Sequence, residues 1–304
     1  MFIVKHRQFF YIFSFLLFVA SFLVIYFYGL KFGIEFTGGT QLEIEYMINR
    51  PEASLVHESL NSFGFEEATL QPVGEKSLIL RAKTISEEEH QTILKVLGMT
   101  AGGGNQITEK SFDSIGPIIG SELKRKSVFG IGLAILMIVL YIAFAFRKVS
   151  KPVSSFKYGL IAIVALMHDV AVPTGLFAIL GHYYGVEVDI LFVTALLTVL
   201  GFSIHDTIVV FDRVRENLRA VGESNFEATV GKSLRQTMSR SINTSLTVVL
   251  VLLSLLFLGG ETTKNFALAL IVGVVAGTYS SIFIASPLLV TVNEWQKNGG
   301  KKSL

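Results

Sequence analysis

The chain has 304 residues, of which 51% are hydrophobic and 16% charged. A soluble domain carries roughly 25% charged residues, so this is the composition of a membrane protein. The formal net charge of +2 is too small to predict nucleic-acid binding, and the absence of cysteine excludes disulfides, thiolate chemistry and cysteine metal sites.

A helix needs about 20 residues to cross the hydrocarbon core. Residues 8–30 carry no charge and predict the first span. The stretch IYFYGLKFG at 25–33 offers no small-residue cleavage site, so this segment reads as an anchor that stays attached.

Residues 31–126 have soluble composition. TQLEIEYMI alternates with period two and predicts a strand. PEASLVHESLNSFGF places Pro51 in the first turn of a helix that ends near Gly64. EATLQPV and KSLILRAKTI predict two strands around a turn at Gly74. SEEEHQTILKVLG, with Ser86 as N-cap and acids stacked in its first turn, predicts a second helix, and NQITEKSFDSI a final strand. The order βαββαβ is that of a ferredoxin-like α+β domain, an architecture that says little about function. The GGG run at 102–104 reads as a turn and not a phosphate cradle, because no helix follows it.

Five further apolar stretches follow, at 127–146, 158–180, 190–211, 241–260 and 265–293. His168 and Asp169 interrupt the third span, and His205 and Asp206 the fourth. Lys and Arg gather before the first span, between the second and third, between the fourth and fifth, and after the sixth. The opposite connections, GHYYGVEVD and GGETTK, hold one lysine between them. Positive loops stay cytoplasmic, so both termini are expected in the cytoplasm. The expected fold class is an α-helical polytopic membrane protein with six transmembrane helices and an external α+β ferredoxin-like domain. Its segments are 1–30, the cytoplasmic N-terminus and first span; 31–126, the external domain; 127–293, the remaining helices with a cytoplasmic loop at 212–239; and 294–304, a cytoplasmic tail. FDRVRENL and the capping-box spacing of SNFE at 224–227 predict that the loop is largely helical.

Charges inside a bilayer cost about 2.5–3.5 kcal/mol on insertion scales and mark functional sites by default. Asp206 lies about 9 Å inside the membrane if its helix ends near Asp212. Arg240 opens the antiparallel fifth span at similar depth, so an ion pair between the two is geometrically available. Asn243, Thr244 and Thr247 continue the Arg240 face at spacings of three and four, which suggests a lined path. Asp169 stands four residues before Pro173, whose missing amide leaves the Asp169 carbonyl without its helical donor. Gly273 and Gly277 have the GxxxG spacing that allows close helix approach. Plainer roles stay open: Arg240 as a positive-inside anchor, Asp206 as a structural hydrogen bonder, His168 and His205 as polar packing residues. Neighbours on a helix point about 100° apart, so neither His–Asp pair readily chelates an ion, and no metal or cofactor is expected.

Five motifs carry a resemblance that extends over the whole chain: FGIEFTGGTQLEI at 32–44, SIGPIIGSEL at 114–123, MHDV at 167–170, GFSIHDTIVVFDRVREN at 201–217 and LRQTMSRSINTSLT at 234–247. Together they resemble the SecF family, subunits of the bacterial SecDF protein-export complex within the resistance-nodulation-division (RND) superfamily. The resemblance implies a multi-pass protein of the bacterial inner membrane that is a transporter subunit and not an enzyme. It implies use of the proton-motive force to help pull exported polypeptides across the membrane, after the SecA ATPase and SecYEG channel begin the transfer. The implied partners are SecD, SecYEG, YajC, exported polypeptides and the lipid bilayer, with no nucleic acid. Asp206 and Arg240 match the acid and arginine implicated in proton transport, and Asp169 matches the acid of the third-helix motif. These three make up the candidate proton relay, supported by Asn243, Thr244 and Thr247. His205 stands where many relatives have asparagine.

Other classes compete with this reading. An intramembrane aspartyl protease also sets two aspartates on neighbouring helices, but its YD and GxGD signatures are absent. A half-size RND exporter of small or lipid substrates would usually have larger external domains. A passive Sec assembly scaffold would not need Asp206, and proton flux separates it from an energy-coupled subunit.

Overall fold

The structure is a computed structural model and describes residues 2–100, 106–147, 153–221 and 225–300. The GGG run at 102–104 and Ser224 lie outside the described residues. Helix α1 (Phe2–Lys5) leads into α2 (Arg7–Tyr28), and a single turn, α3 (Ile34–Thr37), follows. Then come β1 (Gly39–Tyr46), α4 (Ala53–Ser62), β2 (Thr69–Val73), β3 (Ser77–Ala82), α5 (Glu87–Thr100) and β4 (Ile107–Ile115). Helices α6 (Pro117–Ala145), α7 (Ser155–Tyr184), α8 (Ile190–Val221), α9 (Phe226–Leu258) and α10 (Glu261–Ser280) succeed them. A π-helical turn at Ser281–Ala285 joins α10 to α11 (Ser286–Gly300). Among the described residues six helices are long and apolar enough to cross a membrane: α2, α6, α7, α8, α9, and α10 with α11. The chain divides into two compact units, Phe32–Ser127 and the remainder.

In the first unit the expected βαββαβ order is present, and the antiparallel sheet runs β2-β3-β1-β4, the ferredoxin-like arrangement. Period-two alternation explains its core. Leu42, Ile44 and Tyr46 of β1 are buried on one face, and Leu80 and Leu78 of β3 stand opposite Leu42 and Ile44. Val56 and Leu60 of α4 and Ile93, Val96 and Leu97 of α5 complete the same cluster. Ser86 caps α5 in a reciprocal box: the Glu89 amide donates to Ser86 Oγ at 3.3 Å, and the Ser86 amide donates to Glu89 Oε2 at 2.7 Å. Helix α4 starts later than the sequence suggests. Glu52, in extended conformation, occupies its N-cap, so Pro51 precedes the first turn. The fixed φ of proline suits an extended entry as well as a first turn.

Two of the quoted motifs meet here. Gly38 has φ +76°, and a Cβ on it would fall 2.6 Å from the Pro117 Cα. A Cβ on Gly120 would in turn fall 2.8 Å from the Gly38 amide nitrogen. The FTGGT stretch and the SIGPIIG stretch are therefore two sides of one close backbone contact. Helix α6 begins at Pro117, well before the apolar stretch at 127, because proline at the first helical position lacks only an amide hydrogen that would be unpaired there.

In the second unit α7, α8 and the α10–α11 span are the most enclosed, while α2, α6 and α9 are largely peripheral. Helix α7 continues through Pro173, and the Thr174 hydroxyl donates to the Val170 carbonyl at 2.6 Å. Small residues bring the helices together. A Cβ on Gly175 of α7 would lie 2.7 Å from the Ser21 Cβ of α2. Arg7 Nη2 donates to both carboxylate oxygens of Glu294, at 2.7 and 2.6 Å, tying the start of the first span to the end of the last.

Helix α8 does not stop at Asp212 but runs to Val221, so helix end and membrane exit are different points. The loop is helical as expected, with Phe211, Val214 and Leu218 buried along one face. The Asn217 amide group donates to Ser233 Oγ and Gln236 Oε1, both at 2.8 Å, locking α8 to α9. The cap of α9 is Asn225, whose Oδ1 accepts from the Ala228 amide at 3.0 Å. It lies one residue beyond the serine that the SNFE spacing pointed to, and Asn is at least as good an N-cap as Ser.

Candidate functional site

Two carboxylates sit in apolar helices, with different surroundings. Asp169 on α7 is 0% exposed. Its Oδ2 accepts from Ser203 Oγ of α8 at 2.5 Å and from Ser280 Oγ of α10 at 2.8 Å. His168 Nδ1 lies 3.1 Å from its Oδ1. Both carboxylate oxygens are thereby engaged, which is the condition for burying such a group in an apolar medium.

Asp206 on α8 is 3% exposed. Its Oδ2 is buried without a hydrogen-bond partner among the described residues. The hydroxyl groups of Ser241 on α9 and Thr278 on α10 flank it, and Ser241 Oγ itself completes no hydrogen bond among those residues. Further hydroxyls continue the polar seam. Ser245 and Thr278 pair at 2.5 Å, and Thr207 pairs with Ser281 at 2.8 Å. Ser281 Oγ donates to the Ser203 carbonyl at 3.3 Å.

The GxxxG spacing makes this seam possible. A Cβ on Gly277 would stand 2.8 Å from the Ser203 Cβ, so only glycine lets α10 approach α8 closely enough for hydroxyl contact.

Arg240 is placed differently from the sequence expectation. It is exposed on α9, and no ion pair joins it to Asp206 among the described residues. The inward face of α9 is set by the buried Ser241 and Ser245, and a neighbour on a helix points about 100° away. Burying a guanidinium among these apolar helices would also carry a desolvation cost of several kcal/mol. Asn243, Thr244 and Thr247 are exposed like Arg240. On α8, Thr194, Leu197, Thr198, Gly201 and His205 are exposed before the helix reaches Asp206. This chain thus brings Asp169 and Asp206 into one hydroxyl seam and turns the Arg240 face outward.

Sequence reasoning missed Ser203, Ser241, Ser245, Thr278, Ser280 and Ser281. Serine and threonine barely interrupt a hydropathy profile, since each can bond its own helix carbonyl. The signals available were the Ser280–Ser281 pair inside the uncharged stretch 265–293 and the four-residue spacing of Ser241 and Ser245.

The protein family described as "Protein export membrane protein SecD/SecF, C-terminal" matches residues 95–295, and "SecD/SecF GG Motif" matches residues 24–46. The protein translocase subunit SecF of Thermobaculum terrenum is 47% identical over 303 residues, which cover 95% of this chain and 93% of that one. The chain belongs to the SecF family. A SecF relative from Anaerolinea thermophila is 38% identical over 306 residues, 98% of each chain. The crystal structure of SecDF from Thermus thermophilus, a translocon-associated membrane protein, aligns with a TM-score of 0.81 and 32% identity over 96% of this chain. SecDF in its super-membrane-facing form aligns with a TM-score of 0.67 and the same identity. This chain spans 38% of each of those SecDF chains. The GG-motif match to the SecF family contains Gly38 and Gly39, and the longer match contains Asp169, Asp206 and Arg240.

Proposed function

We propose that this chain is the SecF-type subunit of a protein-export complex, in which Asp206 carries the proton that couples the proton-motive force to late steps of polypeptide translocation. The observation that carries the reading is the unpartnered, buried Oδ2 of Asp206 beside an Asp169 whose oxygens are both engaged. An anion at Asp206 is buried between helices with only the Ser241 and Thr278 hydroxyls beside it and no countercharge in an ion pair among the described residues, so protonation changes its energy strongly. A proton moving inward gains about 2.3 kcal/mol per 100 mV of membrane potential, and a few such protons supply useful work.

In this reading Arg240 serves the proton path from the outward face, without an ion pair to Asp206 among the described residues. An exposed guanidinium within a spanning helix is stable against polar groups of another subunit rather than against lipid. We assign the face formed by Arg240, Asn243, Thr244, Thr247 and His205 to a SecD-type partner. That this chain spans 38% of the SecDF chains supports a partner that supplies the remainder. SecYEG, YajC and the exported polypeptide belong to the same reading, as does the bacterial inner membrane. Cytoplasmic termini are supported by the Lys and Arg distribution, and the Arg7–Glu294 pair is consistent with both lying on one side.

The test uses vesicles that contain this chain and its SecD partner. Asp206→Asn keeps size and polarity and removes titration. The complex is expected at normal abundance, with proton-gradient-dependent export lost. Arg240→Lys keeps the charge but not the planar fork, and partial export is expected. Full export by Asp206→Asn at wild-type abundance would leave the passive-scaffold reading standing instead.

A further inference from the structure

We propose that Ser280, at the entrance of the π-turn, is a positioning residue that keeps Asp169 an acceptor on both oxygens, and so confines proton exchange to Asp206. The inference rests on the proton-carrier reading above and assigns the second carboxylate of that site a different task from the first.

The geometry begins with the last span. Ser280 and Ser281 are successive and both 0% exposed, yet they serve different helices. Ser280 Oγ donates to Asp169 Oδ2 on α7, while Ser281 Oγ contacts the Ser203 carbonyl and Thr207 Oγ1 on α8. Ser203 closes the ring by donating its own hydroxyl to Asp169 Oδ2. The π-turn begins at this point, and π-turns inside α-helices concentrate at functional sites. Its displaced backbone is satisfied locally: the Ser281 carbonyl accepts from both the Ser286 amide and, at 2.7 Å, the Ser286 hydroxyl.

A proton on Asp169 would have to enter a ring in which two hydroxyls already donate to Oδ2 and an imidazole faces Oδ1. For a proton to settle on Oδ2, one of its two donors must turn away. Ser280 has an alternative acceptor, the Gly277 carbonyl at 3.1 Å, so it is the hydroxyl able to yield. While it faces Asp169, both acceptor positions of Oδ2 are filled and Oδ1 faces the His168 ring. The Oδ2 of Asp206 is unpartnered among the described residues.

The titratable groups around Asp169 are few. Its own helix provides His168. Helix α10 provides Tyr279, whose ring centroid lies 5.9 Å from that of His168 and whose hydroxyl pairs with Ser14 of α2. Helix α8 provides Asp206, three residues beyond Ser203. Tyr11 of α2 is bonded to Thr291 of α11, and Glu294 of α11 is held by Arg7.

The test is difference infrared spectroscopy on the complex with its SecD partner in liposomes, with isotope-labelled aspartate in this chain only. The carbonyl stretch of a protonated carboxyl is followed as pH changes. In an Asp189→Asn background, which removes a carboxyl raised by burial, the chain should show one such band in the buried range, removed by Asp206→Asn and kept in Asp169→Asn. Ser280→Ala should add a second band, which disappears in Ser280→Ala with Asp169→Asn. Ser280→Thr, which retains the hydroxyl, should keep the single band. Ser203→Ala removes the other donor to the same oxygen and should behave like Ser280→Ala. A band of this background that Asp169→Asn removes would overturn the proposal. So would a Ser280→Ala spectrum identical to that of the background. If Asp206→Asn removes no band, the carrier reading fails by itself, and the comparison of Ser280→Ala with and without Asp169 still decides the anchoring role.

Discussion

Gly277 of α10 approaches Ser203 of α8 so closely that a Cβ on the glycine would stand 2.8 Å from the serine's own Cβ. The same serine donates to Asp169 and lies three residues before Asp206. Helix approach and the hydrogen bonding of the site are therefore a single geometric condition.

Replacing Gly277 by alanine should push the two helices apart. Overpacking of this kind costs about 1–3 kcal/mol. The complex carrying Gly277→Ala should unfold at a lower temperature in detergent than wild type. Gly132→Ala is the control, because nothing lies within 4 Å of a Cβ there. Equal melting of the two variants would show that α10 has room to move.

Asp189, just outside the fourth span, gives a prediction in pH. Burial pushes its carboxyl above the ordinary value, against backbone amides at Phe192, Asp189 and Leu191 that pull it down. An acid whose folded value is raised contributes stability that is fully present below the unfolded value, about pH 3.9. That contribution is lost as pH rises through the folded value. Asp189 Oδ1 also accepts from the Phe192 amide at 2.7 Å as a helix cap. Asparagine keeps the cap and removes the charge. The melting temperature of Asp189→Asn should exceed wild type at neutral pH, and the gap should close toward pH 4. Asp189→Ala should fall below Asp189→Asn by the lost cap, about 0.5–2 kcal/mol, at every pH. A constant gap for Asp189→Asn would contradict the assignment.

The ferredoxin-like unit has its own core, so residues 35–115 should fold when expressed alone. Well-dispersed amide resonances are the expected observation. Leu80, fully buried between sheet and helices, tests the packing. Leu80→Ala should cost about 2–5 kcal/mol in urea unfolding. A collapsed amide spectrum for the parent fragment at neutral pH would show that the unit depends on the membrane helices.

Arg219 lies near the end of α8 and is exposed. A cysteine introduced there should react with a membrane-impermeant reagent from the cytoplasmic side only. Reaction from the outer side in intact cells would invert the proposed topology.

The alternating strands and the uncharged runs were legible because each depends on one-dimensional periodicity. Leu42, Ile44 and Tyr46 announce a buried face by spacing alone, and Ser86 with Glu89 announces a helix start. Helix ends were less legible. Helices α6, α8 and α9 all continue beyond their apolar stretches, where local pairs such as Asn217–Ser233 sustain them. The two aspartates stood out through their charge. The serines that distinguish them did not, because their role depends on which helices touch. The facing of Arg240 was beyond sequence reading for the same reason. Depth in the membrane follows from counting residues, whereas rotation about the helix axis follows from packing.

At 1.5 Å per residue, the 32 residues of α8 and 33 of α9 measure about 48 and 50 Å, against a hydrocarbon core of about 30 Å. Close to 20 Å of each helix therefore projects past the bilayer interior, and the Asn217–Ser233–Gln236 bonds fasten the projecting ends to each other. Such a pair has the length and the cross-links of a lever. A small tilt of the bonded pair at the depth of Asp206 would be enlarged at its tip, where anything docked in the aqueous phase could sense the state of a single buried carboxyl.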